Sequence, residues 1–269
     1  MFHLFCQTQP DYLEYYKAFG FKSLGIGSDA IVNLAGFTLS GNANKGLRSA
    51  YNRLVKLGYR AITLQPPLKQ FHLAELRAIS DSWLTHMHGV EKRFSLGWFD
   101  ENYLQSGPVM VVFDPDDNPV AFANIVREYQ RNEITVDLMR YIQGEHGIMD
   151  FMFVSLFEWA TREGYSSFNL GLSALSGVGE HPEDPNIERT LHYIFEHVNH
   201  FYNFKGLHAF KAKFHPAWSP RYLVYPNAAA LPAIALGLNR ATSGGYNFRD
   251  YLSPLRTSLR TRLETKISP

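Results

Sequence analysis

The chain has 269 residues, 45% of them hydrophobic, which is enough to bury one large core or two small ones. Its single cysteine, Cys6, excludes an internal disulfide framework and is typical of a reducing compartment. The net charge of +1 hides an uneven distribution, because residues 1–196 carry 16 Lys/Arg against 23 Asp/Glu, whereas residues 197–269 carry 10 against 2.

One structural unit is predicted three times along the chain. Residues 15–27, 52–64 and 157–171 each have the pattern of a helix, a glycine, an aromatic residue and a strand. The glycine is expected just after the last helical turn, where a left-handed backbone conformation is common, and the residues that follow alternate as in a strand. The repetition predicts two related halves, with a boundary between residues 85 and 108.

Further elements are predicted after the second copy of this unit. Residues 75–87 have the apolar spacing of a helix, and residues 108–126 have the pattern of a hairpin around the turn "DPDDNP". A strand follows at 133–142, and then a helix from about Met149 to Arg162. Mixed helices and strands around an antiparallel hairpin predict an α+β fold. After Ser243 the chain is polar and basic, and we expect a loosely held tail.

Polar residues interrupt two of the apolar strands. In "ITVDLMRYI", Asp137 and Arg140 stand in an otherwise apolar strand. Residues three apart point to opposite faces unless a β-bulge intervenes, so a catalytic pair and an ordinary buried ion pair both remain open. "FNLGLSALSG" (168–177) is a strand that leads into a loop of small residues, either a place where a substrate approaches backbone N–H groups or simply a turn. The sequence has no metal-ligand spacing, nucleophile elbow or Walker phosphate loop.

The segment 201–226, "FYNFKGLHAFKAKFHPAWSPRYLVYP", combines four fixed cations and eight aromatic rings with no carboxylate. A basic region of this kind indicates an anionic partner such as a phosphate, a nucleic acid or a membrane surface. Rings interleaved with Lys and Arg suit stacked bases or the boundary between lipid acyl chains and headgroups. A solvated basic face is the alternative interpretation.

Eight blocks of the sequence match one known family in the same order: "AIVNLAGFTLSG", "ISDSWL", "EKRFSLGWFD", "VAFANI", "DLMRY", "MDFMF", "GYSSFNLGLSALSGVG" and "FYNFKGLHAFKAKFHPAWSPRYL". Through them the chain resembles the soluble C-terminal region of bacterial phosphatidylglycerol lysyltransferases and alanyltransferases, the multiple peptide resistance factors. The resemblance implies tandem acetyltransferase-like (GNAT) domains with mixed sheets. The expected division is a first domain truncated at its N-terminus (1–95), a catalytic second domain (96–240) and a basic C-terminal tail (241–269).

The resemblance also implies an activity. An amino acid, lysine or alanine, would pass from aminoacyl-tRNA to a glycerol hydroxyl of phosphatidylglycerol, which alters membrane surface charge and resistance to antimicrobial peptides. The ester of an aminoacyl-tRNA is already activated, so no cofactor or metal is expected. The implied partners are aminoacyl-tRNA, the anionic phospholipid, the membrane surface and a separate membrane-embedded flippase. The implied location is cytoplasmic, on the inner face of the cell membrane.

Site residues follow from the motifs that match. Asp137 and Arg140 correspond to residues at the family's active tunnel, with Asp137 expected to accept a hydrogen bond from the attacking hydroxyl or the substrate ammonium, and Arg140 to hold a phosphate or the oxyanion. The family loop Gly-Met-Ala-Pro-Leu reads "GLSAL" here, with Ala174 in place of Pro. The amino-acid pocket is expected at Asn169 and Ser173. Substrate phosphates are expected at Lys205, Lys211, Lys213 and Arg221, with Tyr202 as a further contact.

Two alternatives remain open at the level of sequence. One is a related aminoacyl-tRNA-dependent transferase that acts on another lipid or on a peptidoglycan precursor. The other is a non-catalytic remnant that binds RNA or lipid, which a truncated first domain would allow. A single acidic residue does not separate lysine from alanine as the transferred amino acid.

Overall fold

The computed structural model of the chain describes residues 3–86, 98–189, 192, 204–231, 233, 234 and 237. The strands are β1 (Phe5–Thr8), β2 (Lys22–Asn33), β3 (Arg60–Leu64), β4 (Val109–Phe113), β5 (Pro119–Glu128), β6 (Glu133–Tyr141), β7 (Ser167–Ala174) and β8 (Ala217–Tyr225). The α-helices are α1 (Leu13–Ala18), α2 (Lys45–Lys56), α3 (Gln70–His86), α4 (Glu101–Leu104), α5 (Ile148–Arg162) and α6 (Phe204–Ala212). Short 3-10 turns lie at Pro10–Tyr12 and Ala228–Ala230. Tyr202 and the predicted tail at 241–269 fall outside the described residues.

These strands form one mixed sheet in the order β1-β8-β2-β7-β6-β5-β4-β3. The β6–β7 pair is parallel, and the other neighbouring pairs are antiparallel. The parallel pairing runs from Glu133–Ser167 to Thr135–Asn169, although both strands continue beyond it. β6 and β7 therefore separate after these residues, each still paired with its outer neighbour. This opening is called the β6–β7 fork below.

The repeated unit predicted from sequence is confirmed in all three places. α1, α2 and α5 each end shortly before a glycine with a left-handed backbone (Gly20, Gly58 and Gly164, with φ of 80°, 89° and 84°), and a strand begins within three residues. Glycine suits this position because it adopts positive φ without the steric cost that a Cβ would add. The predicted hairpin is also confirmed as β4 and β5, with the side chain of Asp114 accepting from the N–H groups of Asp116 and Asn118 in the turn.

An α+β fold is therefore confirmed. β2, from the predicted first domain, lies between β8 and β7 of the predicted second domain, and β3 pairs with β4. The two predicted domains thus share a continuous sheet, and the boundary near residue 95 stays a prediction. Across the described ranges, no helix is both long enough and apolar enough to cross a membrane.

Apolar side chains cover both faces of this sheet. On one face, Phe153 and Phe157 of α5 pack with Phe168 of β7 and with Phe214, and the ring centres in these successive pairs are 5.0 to 6.2 Å apart. On the other face α3 packs against β4, β5 and β6 in a second cluster that includes Leu138. Full burial of one such side chain contributes roughly 1.5–3 kcal/mol. The two clusters give β6 a distinct environment on each side.

Candidate active site

β6 contains a β-bulge at the centre of its pairing with β5. Ala123 pairs with Met139 and Ile125 pairs with Val136, so Asn124 alone stands opposite the two β6 residues 137 and 138. One strand thus carries an extra residue, which changes the side-chain alternation from that point on. The bulge is the feature that decides where the charged residues of β6 point.

Because of the bulge, Asp137 and Arg140 reach the same side of the sheet. Leu138 packs in the α3 cluster, whereas Val136 and Met139 pack against the α5 cluster. Asp137 contacts α4, and Arg140 contacts α3, on the Leu138 side. In a regular strand, residues three apart would have faced opposite ways. The sequence left this question open, and the bulge answers it.

A tyrosine holds the carboxylate of Asp137. The hydroxyl of Tyr103 donates to Asp137 Oδ2 at 2.7 Å, and the N–H of Tyr103 donates to the capping side chain of Asp100 at 2.8 Å. Burial, together with the bond to Asp137, raises the pKa of Tyr103 to about 12, against an opposing contribution from the Asn124 side chain. Tyr103 therefore stays a protonated donor at neutral pH and fixes one carboxylate oxygen in place.

Arg140 is buried, with 7% of its surface exposed, and lies against a tryptophan. Its guanidinium carbon is 4.2 Å from the ring centre of Trp83, and its Nη1 donates to the carbonyl of Met139 at 3.0 Å. A cation stacked in this way is held in a defined plane. Trp83 also lines an open cavity of about 340 Å³ together with His86, Tyr141 and Gln143. Arg140 is thus positioned beside a concave part of the surface.

The β7 side of the fork carries a polar network. Asn169 Nδ2 donates at 3.3 Å to both Asp29 Oδ2 and Glu133 Oε1, and Asn169 Oδ1 accepts from the N–H of Gly171 at 2.8 Å. Asp29 Oδ2 also forms a salt bridge of 2.9 Å with Arg221, in which both side chains are less than 10% exposed. Asn169 therefore ties β7 to its two neighbouring strands at the point where the fork opens.

Ser173 lies further along β7 and is fully buried. Its Oγ is 3.3 Å from Nδ1 of His208 on α6, whose ring stacks on Trp218 with 4.3 Å between centres. The two residues predicted for the amino-acid pocket, Asn169 and Ser173, are thus on the same strand but contact different groups. Their predicted role in that pocket remains a prediction.

The side chain of Lys211 is buried and hydrogen-bonded to backbone carbonyls. Its Nζ donates to the carbonyls of Gly171 and Leu172, at 2.9 Å each, and only 6% of the residue is exposed. Burial lowers the pKa of Lys211 to about 8, against the opposing influence of Asp29. Lys211 therefore joins α6 to the β7 edge of the fork.

The other basic residues predicted to contact phosphates have differing surroundings. Arg221 pairs with Asp29, as described, and Lys213 Nζ lies 3.0 and 3.1 Å from the two carboxylate oxygens of Asp150 on α5. Lys205 is half-buried near the start of α6. The segment 201–226 contains no acidic residue, but two of its cations pair with acidic residues on other elements of the fold. The phosphate contacts themselves stay predictions.

Sequence reasoning missed four residues that shape this site: Tyr103, Asn124, Trp83 and Asp29. Asn124 was within reach, because a single amide in the apolar run "VAFANIV" is the same kind of signal that pointed to Asp137. Trp83 stands in the block "ISDSWL", but nothing in its spacing indicates a partner on β6. Among the described residues, no group of three His, Cys, Asp or Glu side chains could hold a metal ion.

The eight-stranded mixed sheet, with its parallel pair opening beside Asp137 and Arg140, is an acetyltransferase-like (GNAT) fold. The solved structure of FemX shows the same fold, with a TM-score of 0.53 at 11% identity over 87% of this chain and 74% of that one. At this identity the likeness concerns the fold alone.

The sequence profile described as "Phosphatidylglycerol lysyltransferase, C-terminal" matches residues 1–225, and the chain belongs to this family. It is 42% identical over 224 residues to the phosphatidylglycerol lysyltransferase of Bacillus subtilis (strain 168), and 39% identical over 223 residues to that of Staphylococcus xylosus. Each match covers 82% of this chain but 26% of the relative. The solved structure of L-PGS from Bacillus licheniformis superposes with a TM-score of 0.75 at 37% identity, over 89% of this chain and 72% of that one.

Proposed function

We propose that the chain transfers an amino acid from aminoacyl-tRNA to a glycerol hydroxyl of phosphatidylglycerol. The names of its relatives support the lipid acceptor and make lysine the first amino acid to test, with alanine the second. The observation that carries the proposal is the placement of Asp137 and Arg140 on one face of the sheet, beside the β6–β7 fork. An acceptor and a cation on the same face suit an acyl transfer that creates negative charge.

In the proposed reaction, the lipid hydroxyl oxygen forms a bond to the ester carbonyl carbon, and the bond from that carbon to the ribose oxygen breaks. The proton of the hydroxyl ends on the released ribose oxygen. Asp137 accepts a hydrogen bond from the attacking hydroxyl or from the substrate ammonium, while Tyr103 keeps its carboxylate oriented. Arg140 stabilises the oxyanion or the lipid phosphate.

The basic residues contribute to substrate binding in two ways under this proposal. Lys205 and Lys213 have access to solvent and are the more direct candidates for phosphate contacts. Lys211 and Arg221 are buried and bound to protein groups, so they act on the substrates by holding β7 and β8 in place, or contact a phosphate only at the bottom of the fork. Asn169 and Ser173 would shape the amino-acid pocket from β7.

The proposal places the protein at the inner face of the cell membrane, where the anionic lipid is available. Positive charge near such a surface is attracted by roughly 1 kcal/mol per Lys or Arg. The product would be a lipid with reduced negative charge, and a membrane-embedded flippase is the proposed partner for moving it. The transfer itself requires only the two substrates.

The test is an assay with purified protein, phosphatidylglycerol vesicles and a panel of labelled aminoacyl-tRNAs. Label from lysyl-tRNA or alanyl-tRNA is expected in the lipid without coenzyme A. Vesicles of phosphatidic acid are the matched control, because they are anionic but lack the glycerol hydroxyl. Transfer to a different lipid or to a peptidoglycan precursor would show that the proposed acceptor is wrong. If the folded protein transfers label to no acceptor, the alternative of a non-catalytic RNA- or lipid-binding protein is favoured.

A further inference from the structure

Asn124 occupies an unusual position in the sheet. It lies in the middle of β5 and is 5% exposed. Its side-chain Oδ1 accepts from the N–H of Leu138 at 2.7 Å and from the N–H of Asp137 at 3.2 Å. A side-chain amide thus serves two consecutive backbone donors of the neighbouring strand.

The two donors are those that the bulge creates. A bulged strand presents an extra N–H group that the regular ladder does not pair. Buried N–H groups need an acceptor, and here a single amide oxygen reaches both. A side chain without an acceptor at position 124 would leave these groups unsatisfied and would favour regular pairing.

Regular pairing would change the site. Without the extra residue, side chains along β6 would alternate without interruption, and Asp137 and Arg140 would point to opposite faces. Asp137 would then lose its contact with Tyr103, or Arg140 its contact with Trp83. The bulge is therefore the condition for both residues to act on one substrate.

We infer that Asn124 is a positioning residue: its side chain holds the β6 bulge and so places Asp137 and Arg140 on one face of the sheet. Its effect on transfer rests on the proposed function, whereas its hold on the bulge does not. The two parts are tested separately.

The first test measures hydrogen exchange at individual backbone amides by NMR. In Asn124→Leu, which has nearly the same size but no acceptor, the amides of Asp137 and Leu138 should exchange about tenfold faster or more, the effect expected from losing a hydrogen bond. The amide of Ile134, outside the bulge, should be little changed. Asn124→Asp keeps an acceptor and should retain the protection. Equal protection in wild type and Asn124→Leu would overturn the inference.

The second test is a kinetic double-mutant cycle. Asn124→Leu should lower kcat roughly tenfold or more with little change in KM, because the reacting groups are misplaced while most binding contacts remain. In an Asp137→Asn background, the same substitution should cost clearly less than in the wild type, since part of its effect acts through Asp137 and only the part through Arg140 remains. If the fold-loss in kcat of the double variant equals the product of the two single losses, Asn124 does not act through Asp137, and the positioning role is contradicted.

Asn44→Leu is the matched control. Asn44 is also a buried asparagine, 8% exposed, but its side chain contacts the carbonyls of Thr38 and Ser40 in the loop before α2 and Nε2 of His215 at 2.9 Å, none of them on β6. It should lose stability without a comparable loss of kcat. If Asn124→Leu does not fold, Asn124→Ser, whose hydroxyl is too short to reach both amides, replaces it. Absence of transfer by the wild type would reject the proposed function and the kinetic role together, while the exchange result would still decide what holds the bulge.

Discussion

Asp137 and Arg140 on β6 can be compared with Lys211 and Arg221 on the β7 side of the fork. Arg140, Lys211 and Arg221 are buried and Asp137 is half-buried, but the contacts of the two pairs differ in kind. The contacts described for the β6 residues include the phenol of Tyr103 and the indole ring of Trp83, which orient their charged groups. Lys211 and Arg221 bind two carbonyls and a carboxylate, which compensate their charge. Under the proposed function, β6 carries the substrate site, and the β7 side is its structural support.

The largest expected effect concerns the support. Arg221→Leu leaves Asp29 buried with its partner removed, and breaking a buried ion pair in this way costs about 3–5 kcal/mol. The free energy of unfolding from urea denaturation should fall by that amount. The double variant Asp29→Leu/Arg221→Leu should recover most of it, because no buried charge is left alone. A loss of activity at unchanged stability would instead make Arg221 a substrate contact.

The next effect concerns the β6 residues. Asp137→Asn is nearly isosteric and should lower the transfer rate about 100-fold, the lower end of what general acid–base groups contribute. The melting temperature should change little, since the neighbouring contacts are retained. Rate and thermal melt are measured on the same preparation. A large fall in melting temperature would mean that Asp137 mainly stabilises the fold. The difference in role between β6 and the β7 side would then be contradicted.

Lys211 provides a pH-dependent prediction. Its pKa in the folded protein, about 8, is below the value of 10.5 expected for the unfolded chain. Between these values the unfolded chain binds more protons, so the contribution of Lys211 to stability rises with pH. The free energy of unfolding of the wild type, relative to Lys211→Met, should therefore increase from pH 7.5 to pH 10 by at most about 3 kcal/mol.

The matched control for this titration is Lys213→Met, because Lys213 is exposed and paired at the surface. Its stability difference from the wild type should vary little over the same pH range. A flat difference for Lys211→Met as well would mean that the buried amine does not titrate in this pH range.

The smallest effect is expected for the lysines with solvent access. If Lys205 or Lys213 contacts a phosphate of the tRNA's single-stranded end, replacing it with Gln should reduce the slope of log affinity against log salt by roughly 0.7. Lys56→Gln, at the exposed end of α2, is the charge-matched control. An equal change in slope for Lys56→Gln would mean that the segment 201–226 attracts the tRNA only through its overall charge and not through specific phosphate contacts.

Several parts of the fold were predictable because their signals are local. Glycines after helices, the Asp- and Pro-rich turn and the apolar run of β6 each depend on residues a few positions apart, and the structure has the expected elements there. The choice of Asp137 and Arg140 as candidates was equally local, because charges in an apolar strand stand out. Their common face was not predictable, because it depends on how β5 pairs with β6.

The sequence by itself determined the helices and strands from α1 to β7 other than α4, the residue types available for chemistry and, through its ordered motifs, the family, whereas β1, α4, α6 and β8 were not predicted. Only the tertiary structure decided which partners the polar and charged side chains contact. Lys213 contacts Asp150, which is 63 residues away in the sequence, and Asn169 contacts Asp29, which is 140 residues away. No local sequence pattern shows these contacts. Only the tertiary structure also decided the bulge, because Asn124 and Asp137 lie on different strands and meet only when β5 and β6 pair. The physical reason is that periodicity records which way a residue points within its own element, whereas partners depend on how elements pack.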